Sequence, residues 1–330
     1  VNPVLLPLTI LSTGKALPRR KVTSSELDVR LGKPPGWVQR RSGVEYRYHA
    51  ERDEHQSALA ALALRDACAR GSIDPGSIDL LLSACAVPEQ ALPSMAALIL
   101  DRTGLRKGTP GIDINASCIS FTAALHVAAS LLGTSGYRRI AIVSSDLASR
   151  GLDWSSPESS LILGDGAAAA IVERGDGSQG IVSYQLNTWP EGKTYCEIRA
   201  GGTGRNPYTG MDPSDFLFYM DGKRVFRLAT RVMDRFLAEL LGKAGLAFDD
   251  IDTIVPHQAS HLGMRHMADR LMAPEGRLID IYATHGNQVS ASLPTALHEA
   301  FRTGRARPGR NLMLIGTAAG LTVGGMVLKL

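Results

Sequence analysis

Apolar and polar positions along this chain fall into a few patterns that recur, in the same order, in its two halves. Residues 55–70 (HQSALAALALRDACAR) place apolar side chains at helical spacing with few breakers, which predicts a helix. Asp74-Pro75-Gly76 then turns the chain, and residues 78–84 (IDLLLSA) read as a buried strand. In the second half, residues 224–243 are amphipathic at helical period, residues 247–250 turn, and residues 251–255 (IDTIV) form the matching strand. Ahead of these, residues 1–13 read as a first strand. Ser24-Ser25-Glu26-Leu27 opens a short helix, Lys33-Pro34-Pro35-Gly36 breaks it, and residues 37–41 begin another short helical piece.

The copies are offset by a nearly constant number of residues. Ile78-Asp79 corresponds to Ile251-Asp252, a shift of 173 (251 − 78). Residues 122–126 (TAALH) resemble 295–298 (TALH), with a shift of 172 at the histidine (298 − 126), and residues 140–143 (IAIV) match 312–315 (LMLI) at the same shift. Residues 164–172 (GDGAAAAIV) answer 320–328 (GLTVGGMVL) over a shorter connection. This predicts an internal duplication of a strand–helix unit in an α/β fold, with mostly parallel strands and covering helices, divided into halves 1–176 and 177–330.

Between the repeated elements lies residues 111–126, GIDINASCISFTAALH, where a β-type run meets a small-residue turn and then an apolar helical pattern. Cys118 falls at the helix N-terminus, where unpaired N–H groups and the helix dipole favour a thiolate. A thiol so placed is expected below its free value of about 8.5. A small cysteine packing a helix on a sheet is the plainer alternative, and this stretch alone leaves both open. The duplication adds partners. The second-half region corresponding to Cys118 holds Asn287, and the loop after strand 251–255 holds His257. In open α/β sheets ligands gather beyond the carboxyl ends of the strands, so Cys118, His257 and Asn287 are expected to converge there. Such a set suits nucleophilic catalysis with hydrogen-bond donors for a developing oxyanion.

Composition narrows the classes. The chain of 330 residues, 21% of them charged, has a net charge of +4 with its basic residues spread out, so a nucleic-acid interface is not expected. A mild basic excess suits an acidic carrier or a phosphorylated substrate. No apolar run of 18 residues stands out as a membrane span. Cys68, Cys85, Cys118 and Cys196 are far apart with no CxxC, which points away from zinc and disulfides and towards a reducing cytoplasm. His257 and His261 are four apart, but the glutamate of HExxH is missing and Pro256 sets His257 in a loop, so no metal is expected. His126 and His298 read as core or interface residues, and His285 as a residue orienting the loop of Asn287. Gly164-Asp165-Gly166 and residues 317–320 read as tight turns, the latter able to present a backbone N–H. Gly201-Gly202-Thr203-Gly204 lacks the context of a phosphate loop.

Six stretches carry a family likeness: GWVQRRSGV (36–44), DINASCISF (113–121), GDGAAA (164–169), MDGKRVFRLA (220–229), VPHQAS (255–260) and HGNQVSASLPTAL (285–297). In this order, spanning nearly the whole chain, the sequence resembles the thiolase superfamily, in its β-ketoacyl-acyl-carrier-protein synthase III branch. The resemblance implies a thiolase-like fold, two duplicated α/β halves whose sheets sandwich buried helices. It implies that Cys118 takes an acyl group from a thioester and that the backbone N–H groups of Cys118 and Ala319 form the oxyanion hole. His257 and Asn287 would donate to the thioester oxygen of a malonyl carrier while carbon dioxide leaves. Trp37 and Arg41 match positions that hold the nucleotide end of coenzyme A, and Leu92 and Phe121 match substrate-binding positions, with Leu92 near the neighbouring subunit's pocket. The implied substrates are acyl-coenzyme A and acyl-carrier-protein thioesters with no bound cofactor, the implied partner is an acyl carrier protein, and the implied assembly is a homodimer. Three departures stand beside this. Ser156-Pro157-Glu158 and Leu262 replace family arginines, Arg265 lying near the latter, and the tail turn reads Thr317-Ala318-Ala319-Gly320-Leu321 instead of a Phe-Gly-Gly-Gly-Phe pattern. A related branch condenses two acyl thioesters without decarboxylation, using a glutamate where this chain has Leu92; Glu89 nearby keeps that alternative in play. Acyl transfer to a small alcohol or amine, and a non-catalytic partner subunit, are the other readings.

Overall fold

The hydrophobic pattern becomes short strands and helices that alternate through the chain. A computed structural model describes residues 5–134, 136–271, 274 and 276–330, so residues 1–4 of the expected first strand lie outside the described residues. In the first half the elements are β1 (Leu6–Pro7), β2 (Thr9–Ala16), β3 (Arg20–Thr23), α1 (Ser24–Arg30), α2 (Trp37–Ser42), β4 (Tyr46–His49), α3 (Gln56–Gly71), β5 (Leu80–Ser83), α4 (Met95–Thr103), β6 (Gly111–Asp113), α5 (Ser120–Thr134), β7 (Arg139–Asp146), α6 (Pro157–Ser160) and β8 (Gly166–Glu173). In the second half they are β9 (Gly180–Thr188), β10 (Cys196–Glu197), β11 (Tyr219–Met220), α7 (Gly222–Ala244), β12 (Thr253–Pro256), α8 (His261–Arg270), α9 (Tyr282–His285), α10 (Ser292–Arg302), β13 (Asn311–Ala318) and β14 (Thr322–Lys329).

Two five-stranded sheets, β2-β8-β7-β5-β6 and β1-β9-β14-β13-β12, carry the duplication. In the first, β2, β7, β5 and β6 run the same way and only β8 opposes them. In the second, β9, β13 and β12 share one direction, while β14 and the short edge strand β1 oppose it. By strand direction the expected parallel majority therefore holds, with one reversed interior strand in each sheet and β1 reversed at the edge of the second. β14 is reversed because only residues 319–321 separate it from β13, too short for the crossover that a parallel neighbour needs. The chain passes from the first sheet to the second between β8 and β9, and β1 returns to pair with β9.

Helices α5 and α10 contact strands of both sheets and form the central layer. Leu125, Ala128 and Leu132 of α5 and Leu293, Ala296 and Ala300 of α10 share one buried cluster with residues of both sheets. α3 and α4 cover the outer face of the first sheet and α7 that of the second, giving five layers. Small residues make this close approach possible: a Cβ on Gly14 of β2 would stand 2.2 Å from the Ala67 nitrogen of α3. The membrane expectation needs amending in one respect. Residues 117–134 are long and apolar enough to cross a membrane, with a mean hydropathy of 1.4, and this segment passes the test because α5 is the central core helix. The two equivalent histidines also belong to the interior. His298 is buried, with Nδ1 3.0 Å from Thr13 Oγ1, and His126 stacks on Tyr184 with ring centroids 4.2 Å apart.

Candidate active site

Each half places a tight elbow just before its central helix, and the two elbows meet. The first is the single 3-10 turn Ser117–Ile119 leading into α5; the second is Val289–Ala291 leading into α10. Their geometry is the same residue for residue at the shift of 172 (289 − 117). Ser117 and Val289 both lie in the left-handed region, at φ 53° and 54°. The Ser117 N–H donates to Asn115 Oδ1 at 2.8 Å, and the Val289 N–H to Asn287 Oδ1 at 2.9 Å. The Ala116 N–H donates to Ser120 Oγ at 2.9 Å, and the Gln288 N–H to Ser292 Oγ at 2.8 Å. This sharpens the expected correspondence. Asn287 is the counterpart of Asn115, and the residue matching Cys118 is Ser290. An asparagine suits each elbow because its short amide closes a local turn and tolerates strained neighbours.

Cys118 is half-buried. The backbone N–H groups of Ala319 and of Cys118 itself lie close enough to its thiol to favour the thiolate. Burial nevertheless dominates, and with a contribution from Asp146 it pushes the thiol up to about 12. The expectation of a lowered value is overturned. The helix terminus contributes only the N–H of Cys118 itself, the other coming from Ala319 in the turn between β13 and β14, and desolvation in the middle layer costs the anion more than these two groups return. The resting side chain is a thiol.

His257 follows β12, as its strand-end position requires. Its N–H donates to Ile315 O of β13 at 2.8 Å, and burial lowers its imidazole to about 4, so it is neutral at pH 7. No protein group bonds its Nδ1 among the described residues. Gly316 lets this histidine and the first elbow close on one another. A Cβ there would stand 2.8 Å from His257 Cβ and 2.9 Å from Ile119 Cγ2. Asn287 is joined to the same place, since its Nδ2 donates to Ala259 O at 3.1 Å while the Ala259 N–H donates to His257 O at 2.9 Å. The three residues and Ala319 are thus brought together around the end of β13.

The remaining expected residues are more dispersed. Trp37 opens α2, with Arg41 5.5 Å and Lys33 5.2 Å from its ring centroid. Trp154, which the sequence reading missed, packs on the same small cluster of Val22, Leu27, Val38 and Leu161, with Arg30 3.8 Å above its ring. Phe121 is fully enclosed in the central core. Leu92 is 83% exposed, on the segment between β5 and α4. His285 is buried, with Nδ1 2.9 Å from Thr284 Oγ1 and 3.3 Å from Ile281 O, in the turn before Asn287. Leu262 stands 70% exposed at the start of α8. Among the described residues no His, Cys, Asp or Glu cluster could hold a metal. Glu158, one of the departures, accepts the Gly222 N–H at 3.0 Å and so joins α6 to the start of α7. Asp146 and Ser290 were also missed; extending the 172-residue shift along the elbow would have pointed to Ser290.

Two duplicated α/β halves meeting at paired elbows, one of them carrying a cysteine, make this chain an acyltransferase of the thiolase fold. The known proteins narrow the class. The family model described as 3-oxoacyl-[acyl-carrier-protein] synthase III matches residues 112–190, and its C-terminal model matches residues 241–330. The β-ketoacyl-[acyl-carrier-protein] synthase III of Listeria welshimeri is 32% identical over 320 residues, covering 97% of this chain and 98% of that protein. The crystal structure of the enzyme of that name from Thermus thermophilus superposes with a TM-score of 0.87 at 32% identity, over 97% of this chain and 98% of the other. That from Pseudomonas aeruginosa does so at 0.87 and 28%, over 98% of each. The chain belongs to the β-ketoacyl-[acyl-carrier-protein] synthase III family.

Proposed function

We propose that Cys118 carries the acyl group and that His257 and Asn287 support a decarboxylative condensation with a malonyl thioester of an acyl carrier protein. The observation that carries this reading is the packing of the Cys118 elbow against His257 at Gly316, with Asn287 linked to that histidine through Ala259 and the N–H groups of Ala319 and Cys118 near the sulfur. In the first step the Cys118 sulfur bonds to the carbonyl carbon of an acyl thioester. The Cys118 and Ala319 N–H groups hold the oxyanion, the donor's carbon–sulfur bond breaks, and the proton lost by Cys118 ends on the departing thiol. In the second step the malonyl carbon–carboxylate bond breaks and carbon dioxide leaves with the electron pair remaining as an enolate. His257 and Asn287 donate to the enolate oxygen. The enolate carbon attacks the acyl-Cys118 carbonyl, the carbon–sulfur bond breaks, and the released Cys118 thiolate takes up a proton. A neutral imidazole and an amide suit this task because they stabilise charge that develops only in the transition state.

Trp37 and Arg41, with the Trp154–Arg30 pair beside them, are suited to receiving the nucleotide end of coenzyme A by stacking and charge. The basic side chains Lys223, Arg224 and Arg227 at the start of α7 suit an acidic carrier protein. The four cysteines are free thiols, in keeping with a reducing cytoplasm.

The test is intact-protein mass after incubation with acyl-coenzyme A, followed by malonyl carrier labelled in its free carboxyl. An acyl adduct and then labelled carbon dioxide are expected. An adduct without carbon dioxide would move the reading to non-decarboxylative condensation or transfer, and no adduct would end it.

The same reading includes a homodimer. β6 is an edge strand whose three residues are exposed, Ile112 at 44%, and the neighbouring Leu92 is exposed as well. An open apolar edge of this kind is a template for pairing with a second copy, and Leu92 would then reach the partner's pocket. Light scattering is expected to give twice the chain mass for the native protein and a lower mass for Ile112→Asp. A native protein that runs as a monomer would refute the dimer.

A further inference from the structure

Asp146 ends β7, is 2% exposed, and belongs to no step described so far. Its carboxylate accepts four hydrogen bonds from two separate segments. From the second elbow it takes the Ser290 N–H at 3.0 Å and a short hydrogen bond from Ser290 Oγ. From the turn after β5 it takes the Val87 N–H at 3.0 Å and the Ala86 N–H at 3.3 Å. That same turn is tied to the first elbow, because Asn115 Nδ2 donates to Ala86 O at 2.9 Å while Asn115 Oδ1 accepts the Ser117 N–H. The result is one continuous hydrogen-bonded path from the residue before Cys118, through Asn115, Ala86 and Asp146, to Ser290, the position that matches Cys118 in the other half. Each half's elbow is strained at its left-handed residue, and such a conformation persists only where its surroundings hold it.

We propose that Asp146 is the positioning residue that holds the nucleophile elbow and the Asn287 elbow in register, and that its buried carboxylate adds to the burial that opposes ionisation of Cys118. The assignment rests on the reading of Cys118 as the acyl carrier only for its effect on turnover. A carboxylate suits the clamp because four N–H and O–H donors from two segments need an acceptor with several lone pairs. A neutral amide would accept fewer of them and would turn its own N–H groups towards donors. The charge follows from the same placement, since Asp146 opposes ionisation of Cys118 and of Cys85. Of the other ionisable groups in this region, His257 is held neutral by burial; Cys196 is pushed up to about 12 by burial and then by Cys118, Glu158 and Asp221; and Asp113, which acts on Cys85, has its carboxylate taken up by the Met95 and Ala96 N–H groups. None of these supplies a positive charge to offset Asp146. Burial raises Asp146 itself to about 6, against the hydrogen bonds that lower it, so it is largely ionised above neutral pH.

The test is Asp146→Asn in the full chain, read by iodoacetamide alkylation of Cys118 against pH and by steady-state condensation. The alkylation profile is expected to move to lower pH by about half a unit, a roughly threefold faster reaction at a fixed pH below the midpoint. Turnover is expected to fall about tenfold with KM for the malonyl carrier unchanged, the pattern of catalytic groups displaced from their transition-state geometry. Ser290→Ala, which keeps the charge, is expected to leave the profile where it is and to lower turnover about fivefold. A packing role alone would change alkylation equally at all pH values without moving the midpoint. An unmoved midpoint in Asp146→Asn overturns the electrostatic part, and turnover within twofold of the native value in both variants overturns the clamp. Should Asp146→Asn fail to fold, Asn115→Ala and Ser290→Ala form a double-mutant cycle in alkylation rate. Coupling of about threefold or more supports the path through Asp146, and additive effects refute it. Alkylation needs no substrate, so absence of an acyl adduct on the native protein would refute the reading of Cys118 separately.

Discussion

Cys118→Ala is expected to leave no acyl adduct after incubation with acyl-coenzyme A and to lower condensation by about 10³-fold or more, because it removes the atom to which the acyl group is bound. His257→Ala and Asn287→Ala are expected to behave differently. Both retain Cys118 and the N–H groups at its sulfur, so the adduct forms, while release of labelled carbon dioxide falls by about 10²–10³-fold for want of a donor to the enolate. The split between the two steps is the informative result, and loss of the adduct in all three variants would refute the assignment of separate roles. The pH profile checks the histidine when it is read in Asp146→Asn, which lacks the carboxylate raised to about 6. Burial lowers His257 from 6.5 to about 4, so its imidazole is neutral from about pH 5 upwards and carbon dioxide release should show no inflection near 6.5. An inflection near 6.5 that persists in Asp146→Asn would mean that this histidine titrates as it would in water.

The second large effect is expected where a glycine allows the second elbow to close. A Cβ on Gly164 would stand 2.3 Å from His285 O and 3.1 Å from Arg47 Cβ, and the first of these is backbone that cannot swing aside. The Gly164 N–H also donates to Asn287 O at 3.0 Å. Gly164→Ala is therefore expected to cost about 3 kcal/mol in unfolding, at the upper end of overpacking effects, and to lower the urea midpoint accordingly. It should also slow carbon dioxide release while leaving the Cys118 adduct intact, since the collision displaces the 285–287 turn and not the first elbow. An unchanged midpoint together with an unchanged rate would show that the turn carries no such constraint. Read this way, a residue seen in the sequence only as turn chemistry supports the site by bringing two backbones together.

Much of the fold was legible before any coordinates. The helix of residues 55–70 became α3, the strand of residues 78–84 became β5, and the long amphipathic stretch at 224–243 became α7, each within a few residues. These succeed because helix and strand periods are local properties of which side chains face the core. The constant shift between halves was legible for the same reason, as two copies of one packing unit keep the same spacing. The candidate site was legible in part. Cys118, His257 and Asn287 were candidates from strand ends and family motifs, and the fold joins His257 to Asn287 through Ala259. The correspondence within the elbow was off by a few residues, because the matches used to find it lay in α5 and α10, outside the turn.

By itself, then, the sequence determined the elements, the duplication and the family, and named the candidate reacting groups. All of these are written in local pattern or in short motifs. The state of those groups was decided only by the tertiary structure. At residues 111–126 the helix terminus predicts a lowered thiol, and the Cys118 N–H, with that of Ala319 from the turn between β13 and β14, does favour the thiolate. Burial between the two sheets and the Asp146 carboxylate, 28 residues along the chain, outweigh that tendency and raise Cys118 to about 12. The pairing of Asp146 with Ser290, and of Trp154 with the cluster beneath Trp37, likewise joins residues more than a hundred positions apart. The physical reason is that desolvation and the acceptor count of a buried carboxylate depend on everything that surrounds a group, and neighbours brought by the fold leave no trace in the residues beside it.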